Sequence, residues 1–389
     1  MSVFIPYGRQ AIDESDIAAV EAVLRSDWLT QGPAIERFER TVAEHCDVRY
    51  AVAVSNATAA LHIACLALQL GPGDTLWTSP NTFVASANCA LYCGASVEFV
   101  DIDPLTLNLS VDCLTRKLEE AERNGCLPKV VVPVHFAGQS CEMEAIRHLS
   151  ERYGFAVLED ASHAIGGQYQ GQPVGSCRFS DAAVFSFHPV KIITSAEGGM
   201  VLTNREDLYQ ALLRLRSHGI TRDPAQLQGG VDGAWSYQQL ELGFNYRMTD
   251  LQAALGGSQM SRLEVFVARR RELALRYRSA LAGLPLRVQR EVPQCHSAWH
   301  LQVVRLDQPA WRKPIFDALR KEGILVNVHY QPVYLQPYYR GLGFGAGLCP
   351  EAESYYDRAL TLPLYPGLSD QEFDTVVDKF TTILSEIAT

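Results

Sequence analysis

Residues 51–70 read AVAVSNATAALHIACLALQL. A short apolar run at 51–54 stops at the polar pair Ser55-Asn56, and a stretch with helical spacing of apolar residues fills 57–70. A strand that turns directly into a helix is half of a βαβ unit, so the pattern should recur. It does. β-Rich runs follow at 75–79 (TLWTS), 97–100 (VEFV), 129–134 (KVVVPV) and 155–159 (FAVLE), with helical patterns such as 141–153 between them. Strands alternating with helices predict an α/β fold with a mostly parallel sheet covered on both faces. Beyond about residue 167 the texture changes: GQYQGQPVG reads as a hairpin turn, and AAVFSF and GGMVLT as further strands.

Upstream, residues 1–10 read as an extended arm in which Pro6 forbids a helix. DESDIAAVEAVLRS, from Asp13, has a helix with acidic residues in its first turn, and a second helix is predicted over 33–46. Downstream, a long helical stretch runs from Asp250 to about 282 with a bend expected at Gly256-Gly257. Strands at 299–305 and 324–328 and helices at 311–322 and 370–386 complete the chain. The expected division is residues 1–255, the arm plus a large domain, and residues 256–389, a smaller α+β domain that includes the connecting helix.

The 389 residues are 47% hydrophobic and 20% charged, with a net charge of −10. That suits a soluble globular protein and argues against a nucleic-acid partner, since no basic run opposes the acidic balance. The ten cysteines form no CxxC pair, which reads as small buried apolar residues in a reducing compartment. MSVFIPYGRQ has no charged region followed by an apolar one, and no apolar run reaches the roughly 18 residues of a membrane span. The expectation is a cytoplasmic protein without a membrane partner.

Ligands of open parallel sheets bind at the carboxyl ends of the strands. Three features fall there. Asn56-Ala57-Thr58 opens a helix, where free N–H groups make an anion site; a plain cap by Ser55 or Asn56 is the other reading. Asp160 ends a strand in LEDASHAIGG, where a partly desolvated carboxylate needs a cation or donors; a helix cap is again the alternative. Lys191 follows a strand in SFHPVKIITSAEGG, residues 186–199. Alone it reads as a solvated lysine, but a lysine held at a sheet end with a lowered pKa is a Schiff-base nucleophile. Anion cradle, carboxylate and lysine, in that order on one sheet, are the parts of a pyridoxal 5′-phosphate site.

The segments SNATAALHIA, TFVASANCALYCGASVEFVDID, EDASHAIGG, SFHPVKIITSAEGGM, RSHGI, GFNYRMTDLQAALG and ILVNVHYQPVY occur in order over nearly the whole chain. With them the sequence resembles the DegT/DnrJ/EryC1/StrS family of sugar-nucleotide aminotransferases. The resemblance implies the aspartate-aminotransferase-like fold type I, with a mostly parallel, seven-stranded-type sheet in the large domain. It also implies pyridoxal phosphate as cofactor. Lys191 then forms the Schiff base and carries protons, and Asp160 pairs with the pyridinium. His163, where many relatives carry glutamine, lies near the phenolic oxygen. Phe83 stacks on the ring unless it merely packs in the core. Ala57, Thr58 and Ser186 bind the phosphate. Asn245 reaches the phosphate of the neighbouring subunit, so the active site is shared in a homodimer; otherwise it is a turn residue.

Tyr7, the run Asp27-Trp28-Leu29-Thr30 and the run Asn327-Val328-His329-Tyr330 match substrate-contacting positions of the resembled family, although Tyr7 and Trp28 also suit an interface. SHAIG, SFHPVK and the arm with Tyr7 most resemble members that aminate C4 of UDP-2-acetamido-2,6-dideoxy-β-L-arabino-hex-4-ulose, with L-glutamate as donor, in pseudaminic acid biosynthesis. The rivals are an aminotransferase for another keto-sugar (the C4 D-isomer or C3), a dehydratase, which would carry histidine in place of Lys191, and a non-enzymatic nucleotide-sugar binder. His188 reads as an oriented structural histidine. His296 and His300 share an i, i+4 spacing in a stretch read as strand, with no third ligand, so no metal is expected.

Overall fold

The computed structural model describes residues 4–229 and 233–388; the first three residues of the expected arm lie outside them. The arm contributes β1 (Ile5–Pro6), followed by α1 (Glu14–Leu24) and α2 (Pro33–Cys46). Asp13 starts α1 with a reciprocal capping box to Asp16, and Pro33 opens α2 at a position where its missing N–H costs nothing. The expected alternation then appears as β2 (Tyr50–Val54), α3 (Ala57–Ala67), β3 (Thr75–Thr78), α4 (Ala85–Tyr92), β4 (Ser96–Phe99), α5 (Val111–Asn124), β5 (Val130–Val132), α6 (Met143–Tyr153) and β6 (Ala156–Asp160). The predicted hairpin is β7 (Gln168–Tyr169) and β8 (Gln172–Pro173); β9 (Ala182–Ser186), β10 (Gly199–Thr203) and α7 (Glu206–Arg216) follow.

One seven-stranded sheet has the order β2-β10-β9-β6-β5-β3-β4. Only β10 runs against its neighbours; the other six strands are parallel. β5, β9 and β10 are buried at every position, as strands covered on both faces must be, and this explains their unbroken apolar runs. Fold type I is therefore the architecture of the chain.

A short pair, β11 (Ile220–Thr221) and β12 (Gln238–Gln239), precedes α8 (Asp250–Met260) and α9 (Leu263–Ala280). The helical stretch from Asp250 does break, but at Ser261-Arg262 and not at Gly256-Gly257. Gly256 sits inside α8 because a Cβ there would lie 2.6 Å from the Phe38 ring of α2. It serves close packing rather than bending. The C-terminal part has an antiparallel sheet β13-β15-β17, made of β13 (Leu286–Val288), β15 (Gln302–Leu306) and β17 (Ala359–Leu362), with β14 (Cys295–His296) lying between the first two in the chain and pairing with β7. α10 (Pro309–Lys321) and the C-terminal helix Asp370–Ala388 pack together beside it. The strand expected over 299–305 starts only at Gln302, because Trp299 takes a left-handed φ of 47°. That expected over 324–328 shrinks to β16 (Ile324–Leu325), which pairs in parallel with β1 and carries the arm across the molecule. Among the described residues no helix is long and apolar enough to cross a membrane. Eight of the ten cysteines are buried and none is in a disulfide.

Candidate active site

The carboxyl ends of β2, β6 and β9 open into one cavity of about 1120 Å³. β2 leads into α3 through Asn56, whose Oδ1 accepts the Ala59 N–H at 2.8 Å. Asn56, not Ser55, is therefore the cap. The first turn of α3, with Ala57 and Thr58, still lines the cavity, so capping and an anion-binding helix terminus coexist. Gly199 of β10 lets this turn come close: a Cβ there would stand 2.5 Å from the Asn56 carbonyl carbon and 2.6 Å from the Ala57 nitrogen.

Asp160, at the end of β6, is buried and lines the same cavity. Its Oδ2 accepts the Ser86 hydroxyl at 2.6 Å and its Oδ1 accepts the Ser162 N–H at 3.1 Å. A carboxylate fixed on two sides presents a constant direction to a cation. Lys191 lies where β9 has run out, on a turn in which its N–H donates to the His188 carbonyl at 2.9 Å. Burial lowers the Lys191 pKa to about 8, against the opposing pull of Asp160. Phe83, from the loop before α4, is 60% exposed although it lies on the cavity wall, so its ring has an unpacked face.

Three histidines surround this centre. Burial and then the Lys191 charge push His329 down to about 3. Burial first, then Lys191 and His329, hold His163 well below the usual histidine value. His300 is lowered in the same way by burial and then by His163 and Lys191. All three are neutral at pH 7. His329 Nδ1 meets Thr361 Oγ1 at 2.8 Å, and its ring packs against Tyr7, with centroids 5.1 Å apart. Tyr330 Oη lies 3.3 Å from His163 Nε2.

Of the residues singled out in the sequence, Tyr7, Ala57, Thr58, Phe83, Asp160, His163, Ser186, Lys191 and the run 327–330 converge on this cavity, and His188 joins them at its exposed rim. Asp27, Trp28, Leu29 and Thr30 do not: all four are exposed, and Trp28 lines a separate groove between α1, α2 and α8. Asn245 is exposed outside the cavity, bridged to Ser217, while the next residue, Tyr246, lines it. His296 is exposed and His300 buried, so the two do not share a side; the turn at Trp299 separates them. Sequence reasoning missed Ser86, Tyr92, Tyr246 and Glu197, which also line the cavity. Ser86 carried no signal, because its partner is 74 positions away.

These residues fit pyridoxal phosphate. A lysine with a lowered pKa, an oriented carboxylate, an aromatic ring with a bare face and a helix N-terminus stand around one space. Those are the donor types for the cofactor's aldehyde, pyridine nitrogen, ring face and phosphate.

Comparison with known proteins agrees. Residues 10–381 match the model of the DegT/DnrJ/EryC1/StrS aminotransferase family. The spore coat polysaccharide biosynthesis protein SpsC of Bacillus subtilis (strain 168) is 39% identical over 384 residues, which is 96% of each chain. PseC of Helicobacter pylori, described as an aminotransferase in the biosynthesis of pseudoaminic acid, superimposes with a TM-score of 0.90 at 30% identity, over 99% of this chain and 100% of that one. Spr1654 of Streptococcus pneumoniae in its PMP form gives a TM-score of 0.90 at 31% identity, over 98% of this chain and 100% of that one, and has also been solved in a PLP form.

Proposed function

The chain belongs to the DegT/DnrJ/EryC1/StrS aminotransferase family and is a pyridoxal 5′-phosphate-dependent sugar aminotransferase; from that premise we propose that it moves the amino group of L-glutamate to C4 of a UDP-linked 4-keto-6-deoxy-N-acetyl hexose. The products are 2-oxoglutarate and the UDP-linked 4-amino sugar of pseudaminic acid biosynthesis. The observation that carries this reading is the convergence of Lys191, Asp160 and the α3 N-terminus on a cavity roomy enough for a sugar beside the cofactor.

The bound cofactor supplies an electron sink for the carbanion formed when a proton leaves the substrate carbon. The chain supplies the rest. Asp160, held by Ser86 and Ser162, would face the ring nitrogen and keep it protonated. The α3 turn and Ser186 line the cavity where they would hold the phosphate, and Phe83 would cover the ring. Lys191 Nζ takes the proton from the α-carbon of L-glutamate and later delivers one to C4 of the sugar. Its lowered pKa leaves an appreciable free-amine fraction near neutral pH. Tyr7, Asn327, His329 and Tyr330 line the sugar side and set which face of C4 receives the proton.

Two copies share each site in this reading. Among the described residues no arginine and no lysine besides Lys191 lines the cavity, and a nucleotide diphosphate needs cations. Asn245 and the segment 27–30 stand exposed and would contact a second copy; they carry no cation, so the basic groups would come from elsewhere on that copy. The test is a substrate panel. Purified enzyme with L-glutamate is offered the UDP-linked L-arabino 4-keto sugar, its D-configured 4-keto isomer and a 3-keto nucleotide sugar, and the amino sugars are read by mass spectrometry and NMR. The proposal expects the highest kcat/KM with the L-arabino compound. A preference for either other ketone replaces the sugar assignment.

A further inference from the structure

Arg270 of α9 is fully buried, and among the described residues it forms no ion pair. Its Nη1 donates to three carbonyl oxygens instead: Leu364 at 2.9 Å, His300 at 3.1 Å and Trp299 at 3.4 Å. Burial draws its pKa below the usual arginine range. A buried cation facing only carbonyls is an expensive way to fill a core, and apolar replacements of buried charges are often neutral or stabilising. Its place in the fold suggests what it is for.

The loop that Arg270 grips is tied to the turn at Ala137-Gly138. His300 N–H donates to the Ala137 carbonyl at 2.8 Å, and Ala298 N–H to the Gly138 carbonyl at 3.0 Å. That turn is left-handed at both residues, with φ of 58° and 105°. A Cβ on Gly138 would lie 2.7 Å from the Trp299 nitrogen, so loop and turn are in direct contact. The turn aims the Ala137 N–H at His163 Nδ1, 3.3 Å away, and the His300 ring lies against the His163 ring with centroids 4.4 Å apart. An imidazole whose Nδ1 accepts an N–H carries its own proton on Nε2 when neutral. Nε2 faces Tyr330 Oη at 3.3 Å, so that oxygen accepts and the tyrosine's own proton is free to point elsewhere.

We propose that Arg270 is a positioning residue for His163: by fixing the loop at 298–300 it holds the Ala137 N–H on Nδ1 and so sets the Nε2–H tautomer that faces the cavity. The effect on turnover rests on His163 facing the cofactor, but the tautomer belongs to the protein and is measured without any sugar. Failure of the sugar assignment therefore leaves this inference standing, and the reverse also holds.

The test is nitrogen NMR of histidine-labelled holoenzyme, with the His163 signals identified by their loss in His163→Gln. Wild type is expected to show His163 protonated on Nε2 alone. Arg270→Met is expected to populate the Nδ1–H form and to slow the half-reaction with L-glutamate about tenfold, with little change in KM. Arg270→Lys keeps the charge on a shorter side chain that reaches the three carbonyls less well, so it should give a smaller share of Nδ1–H than Arg270→Met; it carries the test if Arg270→Met does not fold. His163 protonated solely on Nε2 in a folded Arg270 variant overturns the proposal.

Discussion

At the C-terminal edge of the seven-stranded sheet the polar side chains are already paired within one chain. Asp160 has Ser86 and Ser162, His163 has Ala137 and Tyr330, and His329 has Thr361. The surface around residues 27–29 and 235–242 is the opposite. Trp28 is 56% exposed, Trp235 77% and Leu242 80%. Bare aromatic and aliphatic groups of this kind are what an interface with the proposed second copy would cover. The contrast separates two jobs. Chemistry common to aminotransferases is built on rigid strand ends, where one chain can hold it. In the proposed reading the sugar meets Tyr7, Asn327, His329 and Tyr330 in the same cavity, and the exposed segment 27–30 and Asn245 are assigned to contacts made by a second copy.

The largest effect should come from Lys191. Lys191→Ala is expected to lose on the order of 10⁴-fold in kcat or more, since it removes both the proton carrier and the covalent anchor. Steady-state rates and the failure of borohydride to fix cofactor to the chain check this. The pH dependence has a definite sign. With the folded pKa at about 8, below the ordinary lysine value of 10.5, the cofactor-free protein binds fewer protons than the unfolded chain between those values. Its stability should therefore rise with pH across that window, and a flat denaturation profile from pH 8 to 10.5 would count against the lowered Lys191 pKa.

Next in size is Ser86→Ala, which takes one donor from the Asp160 carboxylate. A hydrogen bond to a charged group is worth roughly 1.5–3 kcal/mol, so kcat/KM should fall about 10- to 100-fold. No loss would mean that Asp160 needs no orienting.

Asn245→Ala tests the other half of the comparison. It should weaken cofactor binding about tenfold, measured by equilibrium titration. Mixing it with Lys191→Ala should restore part of the activity, because the hybrid pairs an intact lysine with an intact asparagine. Absence of recovery in proven hybrids would remove the shared site. The smallest effect is expected from Gly256→Ala, where the added methyl meets Phe38. A loss of about 1–3 kcal/mol in unfolding free energy, with kcat unchanged, is the expected outcome.

The sequence spoke most clearly where one local pattern decides the structure. The alternation of apolar runs and helical patterns predicted the parallel sheet, because strands buried on both faces must be apolar throughout. Asp160 and Lys191 were legible because one closes a strand and the other follows soon after one, and strand ends are where such a sheet binds ligands. Gly256 misled because a helix glycine signals a bend only when nothing packs on it, and Phe38 belongs to another helix. Ser86 and Arg270 were silent for the same reason: their partners lie 74 and up to 94 positions away, and no local pattern encodes those contacts. The stretch SAWHLQVV looked like one strand because the left-handed turn at Trp299 comes from tertiary packing, not from a glycine.

The most direct test of the central claim is the visible absorption of the cofactor-loaded protein through one full cycle. Addition of L-glutamate should bleach the yellow band with release of 2-oxoglutarate. Addition of the UDP-linked L-arabino 4-keto sugar should then restore the band, with stoichiometric formation of the 4-amino sugar. A protein that binds pyridoxal phosphate but does not bleach with L-glutamate, or bleaches and is not restored by that sugar, would contradict the account at the donor or at the acceptor respectively.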